Sequence, residues 1–371
     1  MLVGVPSEIK THEYRVGLTP ASVREYVQRG HKVLVQSGAG DGIGAADDVY
    51  RQAGADIAQS AAEVFKAADM IVKVKEPQLD ECAQLRQGQI LFTYLHLAPD
   101  PKQTAALVKS GCTAVAYETV TDDRGGLPLL APMSEVAGRL AIEAAGVALK
   151  RPAGGRGLLI GGVPGVPAGR VVVIGGGVVG VHAARMAVGL GAEVTVLDRS
   201  LPRLRELDEL FAGRVRTLYS TSEALDNEVA AADVVIGAVL VPGASAPKLV
   251  SRDKLKTMKK GAVIVDVAID QGGCFETSHA TTHAEPTYVV DGVIHYCVAN
   301  MPGAVPVTSS HALNNATLPF GLALASSGLK ALLANPHLRN GLNVHKGKVT
   351  YKAVADSLNL PYVSAESAIA A

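Results

Sequence analysis

Short runs rich in Val and Ile alternate with longer stretches of helical period along most of the chain. "LVGV" (2–5), "KVLVQ" (32–36), "MIVKVK" (70–75), "QILFTYL" (89–95) and "TAVAYE" (113–118) read as strands. Apolar strands of this kind, separated by helical patterns, predict βαβ units and parallel sheets. Thr19 followed by Pro20 predicts a helix over 20–28, with a capping hydroxyl and a proline at its first position. "APMSEVAGRLAIEAAGVALK" (131–150) reads as a long helix and 154–169 as a Gly/Pro-rich turn region. A second βαβ series follows, with strands expected at 170–174, 193–198, 216–220, 233–240, 262–268 and 287–290. After about residue 305 the pattern turns helical nearly to the end. The fold class is therefore α/β, with two doubly wound Rossmann-like domains built on parallel sheets.

One strand carries an anomaly. In "MIVKVKEP" (70–77), Lys73 and Lys75 fall on one face of an otherwise apolar strand. A buried ammonium is costly without a partner, so either the strand surfaces at its end or a lysine there awaits an anion.

The chain has 371 residues, enough for two domains with sizeable cores. Its 35 basic and 35 acidic residues balance, which gives no pointer to nucleic acid or an anionic membrane as partner. Cys82, Cys112, Cys274 and Cys297 show neither CxxC nor Cys/His spacing, so neither a metal site nor a disulfide framework is expected. "MLVGVPSEIK" does not read as a signal peptide, and a cytoplasmic location is expected. The uncharged run Val293 to Leu329 is interrupted by Pro302, Pro306 and Pro319 and by polar pairs. It is read as a buried segment rather than a membrane span.

"VVVIGGGVVGVHAARMAVGLGAEVTVLD" (171–198) supplies G-x-G-x-x-G at Gly175, Gly177 and Gly180, after a predicted strand and opening a predicted helix. Gly175 suits the tight turn, Gly177 the approach of a pyrophosphate, and Gly180 close helix packing. Asp198 ends the next strand, where an acid binds ribose hydroxyls. Its charge disfavours a 2′-phosphate, so NAD is the expected cofactor, with Arg199 as the one contrary feature.

Open parallel sheets bind ligands beyond the carboxyl ends of their strands. That rule selects Lys75 and His96 in the first domain, and Asp198, Ser220, Val239, Leu240 and Asp270 in the second. Arg15, in the loop after the first strand, is a bidentate donor suited to a carboxylate. Plain alternatives stand beside these: Lys75 solvated next to Glu76, His96 or Asp270 capping a turn, and Arg15 lying on the surface.

Several stretches resemble the L-alanine dehydrogenases: "YRVGLTP" (14–20), "VKVKEP" (72–77), "LFTYLHLA" (91–98), "YETV" (117–120), "LPLLAPMSEVAGR" (127–139), "GGVPGV" (161–166), "VIGGGVVG" (173–180), "GAVLVPGASAP" (237–247), "VDVAIDQGG" (265–273) and "VANMPGAVP" (298–306). The resemblance implies NAD-dependent interconversion of L-alanine with pyruvate and ammonium, in a homohexamer. It assigns Arg15 and Lys75 to substrate binding, and His96 and Asp270 to proton transfer. It lines the cofactor site with Ser134, Val178, Val179, Asp198, Arg203, Ser220, Val239, Leu240, Val267, Ala268, Ile269, Asp270, Val298, Ala299, Asn300 and Met301. It also implies a discontinuous substrate domain, 1–130 completed by a helical segment 306–371, around an NAD-binding domain 131–305. Val307 and Ser310 stand where relatives often carry a basic residue and a threonine, and neither departure touches a catalytic candidate. Two competing readings are a transhydrogenase-like NAD(H)-binding component and a non-catalytic NAD-binding regulator.

Overall fold

In the computed structural model, which describes residues 1–239 and 246–370, the chain divides into two compact units. One is Met1–Met133 with Gly303–Ala371 and the other Ser134–Pro302. The described strands are, in chain order, β1 (Leu2–Val5), β2 (Lys32–Gln36), β3 (Asp56–Ala58), β4 (Met70–Val72), β5 (Ile90–Thr93), β6 (Thr113–Ala116), β7 (Arg170–Ile174), β8 (Glu193–Asp198), β9 (Val215–Tyr219), β10 (Val234–Gly237), β11 (Val263–Asp266), β12 (Thr287–Val290), β13 (Val293–Tyr296), β14 (Leu342–His345) and β15 (Lys348–Val349).

The first unit holds an eight-stranded sheet in the order β15-β14-β6-β5-β4-β1-β2-β3, and the second a seven-stranded sheet in the order β12-β13-β11-β10-β7-β8-β9. Only β14 with its neighbours and β12 with β13 pair antiparallel. Each unit thus contains the same six parallel strands, with the first strand of each unit between its second and fourth. Chain direction across the sheet reverses beside β1 in one unit and beside β7 in the other. Ligands bind beyond the strand ends at such a reversal.

The apolar strand pattern has a direct cause. Val171 and Val173 of β7 pack on one face with Ala183, Ala187 and Val196, while Val172 and Ile174 pack on the other with Leu225, Val229 and Ile264. Both faces are covered, so no alternation with polar residues is required. Each such side chain contributes about 1.5–3 kcal/mol by leaving water. The Pro20–Gln28 helix forms as its sequence predicts: Pro20 stands in the first turn and the Thr19 hydroxyl accepts from the Ser22 amide.

Several expectations need correction. Regular β4 stops at Val72 and residues 74–75 bend, so Lys73 and Lys75 do not share a strand face. β3, three residues beginning with Asp56, is too short for its pattern to stand out, whereas β13 is largely apolar and follows β12 across Asp291-Gly292, a hairpin signal outside the βαβ pattern. "TYVV" is a strand, but an antiparallel edge one. The stretch after 305 is not helical throughout, because β14 and β15 extend the first unit's sheet beyond β6. Apolar pattern alone cannot distinguish a four-residue buried strand from a helical turn. Pro319 does not interrupt its segment either and lies inside the Pro306–Ser327 helix. Among the described residues, no helix is long and apolar enough to cross a membrane.

Candidate active site

In the first unit, Arg15 follows β1, Lys75 follows β4 and His96 follows β5, so the three sit beyond the strand ends beside the reversal of order. Neither Arg15 nor Lys75 is the solvated surface group of the plain alternative. Arg15 is 3% exposed and Lys75 8%. Arg15 donates from Nε to Glu13 Oε1 (2.7 Å) and from Nη2 to Glu13 Oε2 (2.5 Å), and its Nη1 meets Met133 Sδ at 3.0 Å. Burial works against the guanidinium's charge, but the Glu13 carboxylate outweighs it and raises the pKa further. The cation is therefore permanent and fixed in orientation.

Lys73 points to a different environment. It is fully buried, 3.1 Å from Glu8 Oε2 and 2.8 Å from Glu81 Oε1. Glu8 also accepts from the Val74 amide (2.7 Å), and Glu81 from the Gln78 amide (2.8 Å). Burial sets itself against the lysine's charge, yet the two carboxylates raise its pKa. Lys73 is thus a structural cation holding the turn that delivers Lys75, whose carbonyl is held in turn by the Thr93 hydroxyl at 3.0 Å.

His96 has φ +48°, a left-handed conformation that costs a non-glycine residue of order 1–3 kcal/mol. Glu118 over-determines it, since its carboxylate accepts from the amides of Leu95 (3.1 Å) and His96 (2.7 Å). The next helix is capped by Asp100, not by His96. The imidazole Nδ1 lies 3.5 Å from Glu76 Oε2, and that same oxygen lies 3.8 Å from Lys75 Nζ. Tyr94 closes the group, with its ring 5.8 Å from His96 and its hydroxyl donating to the Leu129 carbonyl at 2.5 Å. Burial holds the Tyr94 phenol well above its ordinary pKa, so it stays neutral.

In the second unit, β7 runs into Gly175, whose φ of +103° requires glycine and whose Cβ would meet the Ala238 carbonyl at 2.7 Å. A Cβ on Gly180 would lie 1.9 Å from the Gly175 carbonyl oxygen, so that residue sets helix against strand. Gly177 is exposed and precedes the Val178–Gly189 helix. It makes no side-chain capping bond, and a Cβ there would meet nothing within 4 Å. An uncapped helix N-terminus with open space before it suits a pyrophosphate. Asp198 Oδ2 accepts from the Gly176 amide (2.7 Å) and Arg203 Nε donates to the Gly176 carbonyl (2.7 Å), so the two side chains fix the peptides on either side of Gly176. The Ser220 amide donates to the Asp198 carbonyl, bringing Ser220 beside it. Val178 and Val179 open the helix, and Val239 lies against Gly175. The fingerprint, Asp198, Arg203, Ser220 and Val239 are thereby gathered at the strand ends beside the second reversal.

Val267, Ala268, Ile269 and Asp270 follow β11, with Asp270 exposed in the Ile269–Gln271 turn. Val298, Ala299, Asn300 and Met301 follow β13, and Asn300 has φ +65°. Ser134 lies in the first turns of the Ala131–Ala148 helix. Leu240 lies outside the described residues.

Sequence reasoning missed the carboxylates that hold these groups: Glu8, Glu13, Glu76, Glu81 and Glu118 in the first unit, and Asp266 in the second. Asp266 is fully buried, and its Oδ2 accepts from Cys274 N (2.9 Å) and Ser278 Oγ (2.6 Å), tying down the loop that carries Asp270. Burial pushes its pKa up. Only Glu13 and Glu76, next to or two residues from a candidate cation, left a local signal.

Residues 4–137 match the alanine dehydrogenase/PNT N-terminal domain family and residues 141–352 the corresponding C-terminal domain family. Alanine dehydrogenase of Halomonas elongata is 60% identical over 370 residues, covering 100% of both chains. A solved L-alanine dehydrogenase structure superposes with TM-score 0.93 at 52% identity, covering 97% of this chain and 99% of the other. A transhydrogenase of Sinorhizobium meliloti superposes less closely, with TM-score 0.81 at 27% identity over 95% of this chain and 100% of the other. The chain belongs to the alanine dehydrogenase/PNT family, and both of that family's domains are present in it.

Proposed function

We infer that the chain is an enzyme catalysing the NAD-dependent, reversible oxidative deamination of L-alanine to pyruvate and ammonia. The observation that carries this reading is the buried cation pair Arg15 and Lys75, with His96 beside it, at the first unit's strand-order reversal. Whole-length identity to alanine dehydrogenases supports it, and the greater distance from the transhydrogenase disfavours the competing reading.

The first unit is the substrate domain, 1–130 completed by 306–371, and 131–305 is the NAD-binding domain. Arg15, immobilised by Glu13, takes the substrate carboxylate. Lys75 takes the pyruvate carbonyl oxygen. Clamping of this kind supplies on the order of 7 kcal/mol in well-oriented intramolecular models. His96 holds and moves the proton at that oxygen, an imidazole being the side chain best suited to acid–base work near neutrality. Asp270 assists proton transfer as the amine enters or leaves. The glycine turn, Asp198, Arg203, Ser220, Val239, the 267–270 turn and 298–301 would hold NAD, which when bound would supply the hydride acceptor for the alanine Cα–H. The Asp198 carboxylate repels a 2′-phosphate, which favours NAD over NADP.

The deciding experiment follows NADH absorbance after pyruvate plus ammonium is added, with pyruvate-only and NADPH controls. Loss of NADH only when ammonium is present is expected; none, with NADH demonstrably bound, overturns the reading. His96→Ala and Asp270→Asn should each cut turnover far more than NADH affinity, and unchanged turnover removes that residue from the mechanism. Resemblance favours a homohexamer, which light scattering tests. Four buried cysteines outside any disulfide suit a reducing, cytoplasmic compartment.

A further inference from the structure

Glu76 is the immediate neighbour of Lys75 and points to the same side because the chain bends there. Its side chain is 12% exposed. One carboxylate oxygen, Oε1, is paired with Lys10 Nζ. The other, Oε2, is shielded from solvent and, like His96 Nδ1, has no partner in hydrogen-bonding geometry. Oε2 instead stands 3.5 Å from His96 Nδ1 and 3.8 Å from Lys75 Nζ, just outside normal bonding distance of both. A buried acceptor without a hydrogen bond is costly, so a small movement toward either neighbour is favourable.

The rest of the arrangement restricts that movement. Glu118 fixes the His96 backbone, and Thr93 holds the Lys75 carbonyl. What remains adjustable is the rotation of the imidazole and the position of one ammonium. Burial opposes the charge on Glu76, but His96, Lys75 and Lys10 outweigh it and hold its pKa far below the usual carboxylate range. It therefore remains an anion.

We propose that Glu76 is a positioning residue whose single oxygen Oε2 is shared between the substrate-binding cation Lys75 and the proton-transfer group His96, and so couples substrate binding to the orientation of the imidazole. When a substrate oxygen draws the Lys75 ammonium toward itself, Oε2 loses one claimant and closes on His96 Nδ1. Nδ1 then carries the hydrogen and Nε2 is presented to the reacting oxygen. The imidazole is set only when a substrate oxygen occupies Lys75.

This inference rests on the amino-acid dehydrogenase reading, so the wild-type assay with pyruvate and ammonium is its first arm. No turnover there sinks the reading itself. With an active wild type, Glu76→Gln keeps the shape and removes the charge. The expected result is a kcat at least tenfold lower, with the KM for pyruvate unchanged or reduced because Lys75 no longer has a competing carboxylate, and NADH affinity unaltered. General damage to the site would raise KM instead. Because Glu76 acts through His96, Glu76→Gln combined with His96→Ala should lose no more activity than His96→Ala alone. An unchanged kcat, a raised KM, or losses that multiply in the double variant would each overturn the proposal. If Glu76→Gln fails to fold, Lys10→Met decides: Lys10 is 39% exposed and anchors only Oε1. Freeing that anchor should lower kcat several-fold with NADH affinity unchanged, and an unaltered kcat overturns the proposal.

Discussion

The two units share a strand order and place their candidate residues at the same topological point, yet they hold them by different physical means. In the first, side chains do the holding. Arg15, Lys73 and the His96 turn are each fixed by a carboxylate from another part of the chain or, for Glu13, from the same loop. In the second, the backbone does most of it: three glycines shape the turn, and Asp198 and Arg203 both hold the Gly176 backbone, one at its amide and one at its carbonyl. The contrast matches the ligands proposed for the two units. A small amino acid offers two or three polar atoms, each needing a fixed charge. A pyrophosphate needs many amides and close approach, which only glycine allows.

The sharpest way to break this comparison is to remove a buried charge from the first unit. Lys73→Ala leaves the Glu8 and Glu81 carboxylates buried without their cation and should cost about 3–5 kcal/mol, read as a lower denaturant midpoint. A stability equal to wild type would show that charge pairing does not hold this unit. In the second unit the matching test is steric. Gly180→Ala puts a Cβ against the Gly175 carbonyl oxygen, should cost about 1–3 kcal/mol, and should weaken NADH binding, followed by fluorescence titration.

Gly177→Ala sharpens the contrast further. Its φ is −68° and the position is open, so stability should stay within about 0.5 kcal/mol of wild type while NADH affinity falls. Equal stability with equal affinity would remove Gly177 from the ligand's path. Arg15→Lys keeps charge and loses the fork held by Glu13. It should raise the KM for pyruvate roughly tenfold, matching the low end of a charged hydrogen bond at about 1.5 kcal/mol, and leave NADH affinity unchanged.

The smallest effect is one the units have in common. His345 in the first and His295 in the second are buried, and burial lowers the pKa of each. The unfolded chain takes up protons on both near pH 6.5, whereas the folded chain resists. Their contribution is therefore complete above that pH and is lost as pH falls through the lowered folded values. Melting temperature should decline from pH 7.5 to 5.5, and less steeply in His345→Asn, where an amide can still meet the Thr113 hydroxyl that faces Nδ1. An identical slope would mean that His345 titrates equally in both states.

What the sequence by itself determined here is local. Val- and Ile-rich runs marked most strands because the central ones are buried on both faces, and Gly175, Gly177, Gly180 and Asp198 are legible because a turn, a helix start and the next strand lie within one stretch of chain. The strand-end rule singled out Lys75, His96 and Asp270 as candidates for the same reason, and Arg15 was a candidate as a bidentate donor in the first loop. Other features depended on the tertiary structure. Lys73 finds Glu8 across 65 positions and the His96 amide finds Glu118 across 22, and no periodicity encodes such distances. β14 is a strand because β6 offers an open edge to a segment far along the chain. Charge pairing and edge pairing follow from topology, and topology brings these residues together only after the sheets have formed.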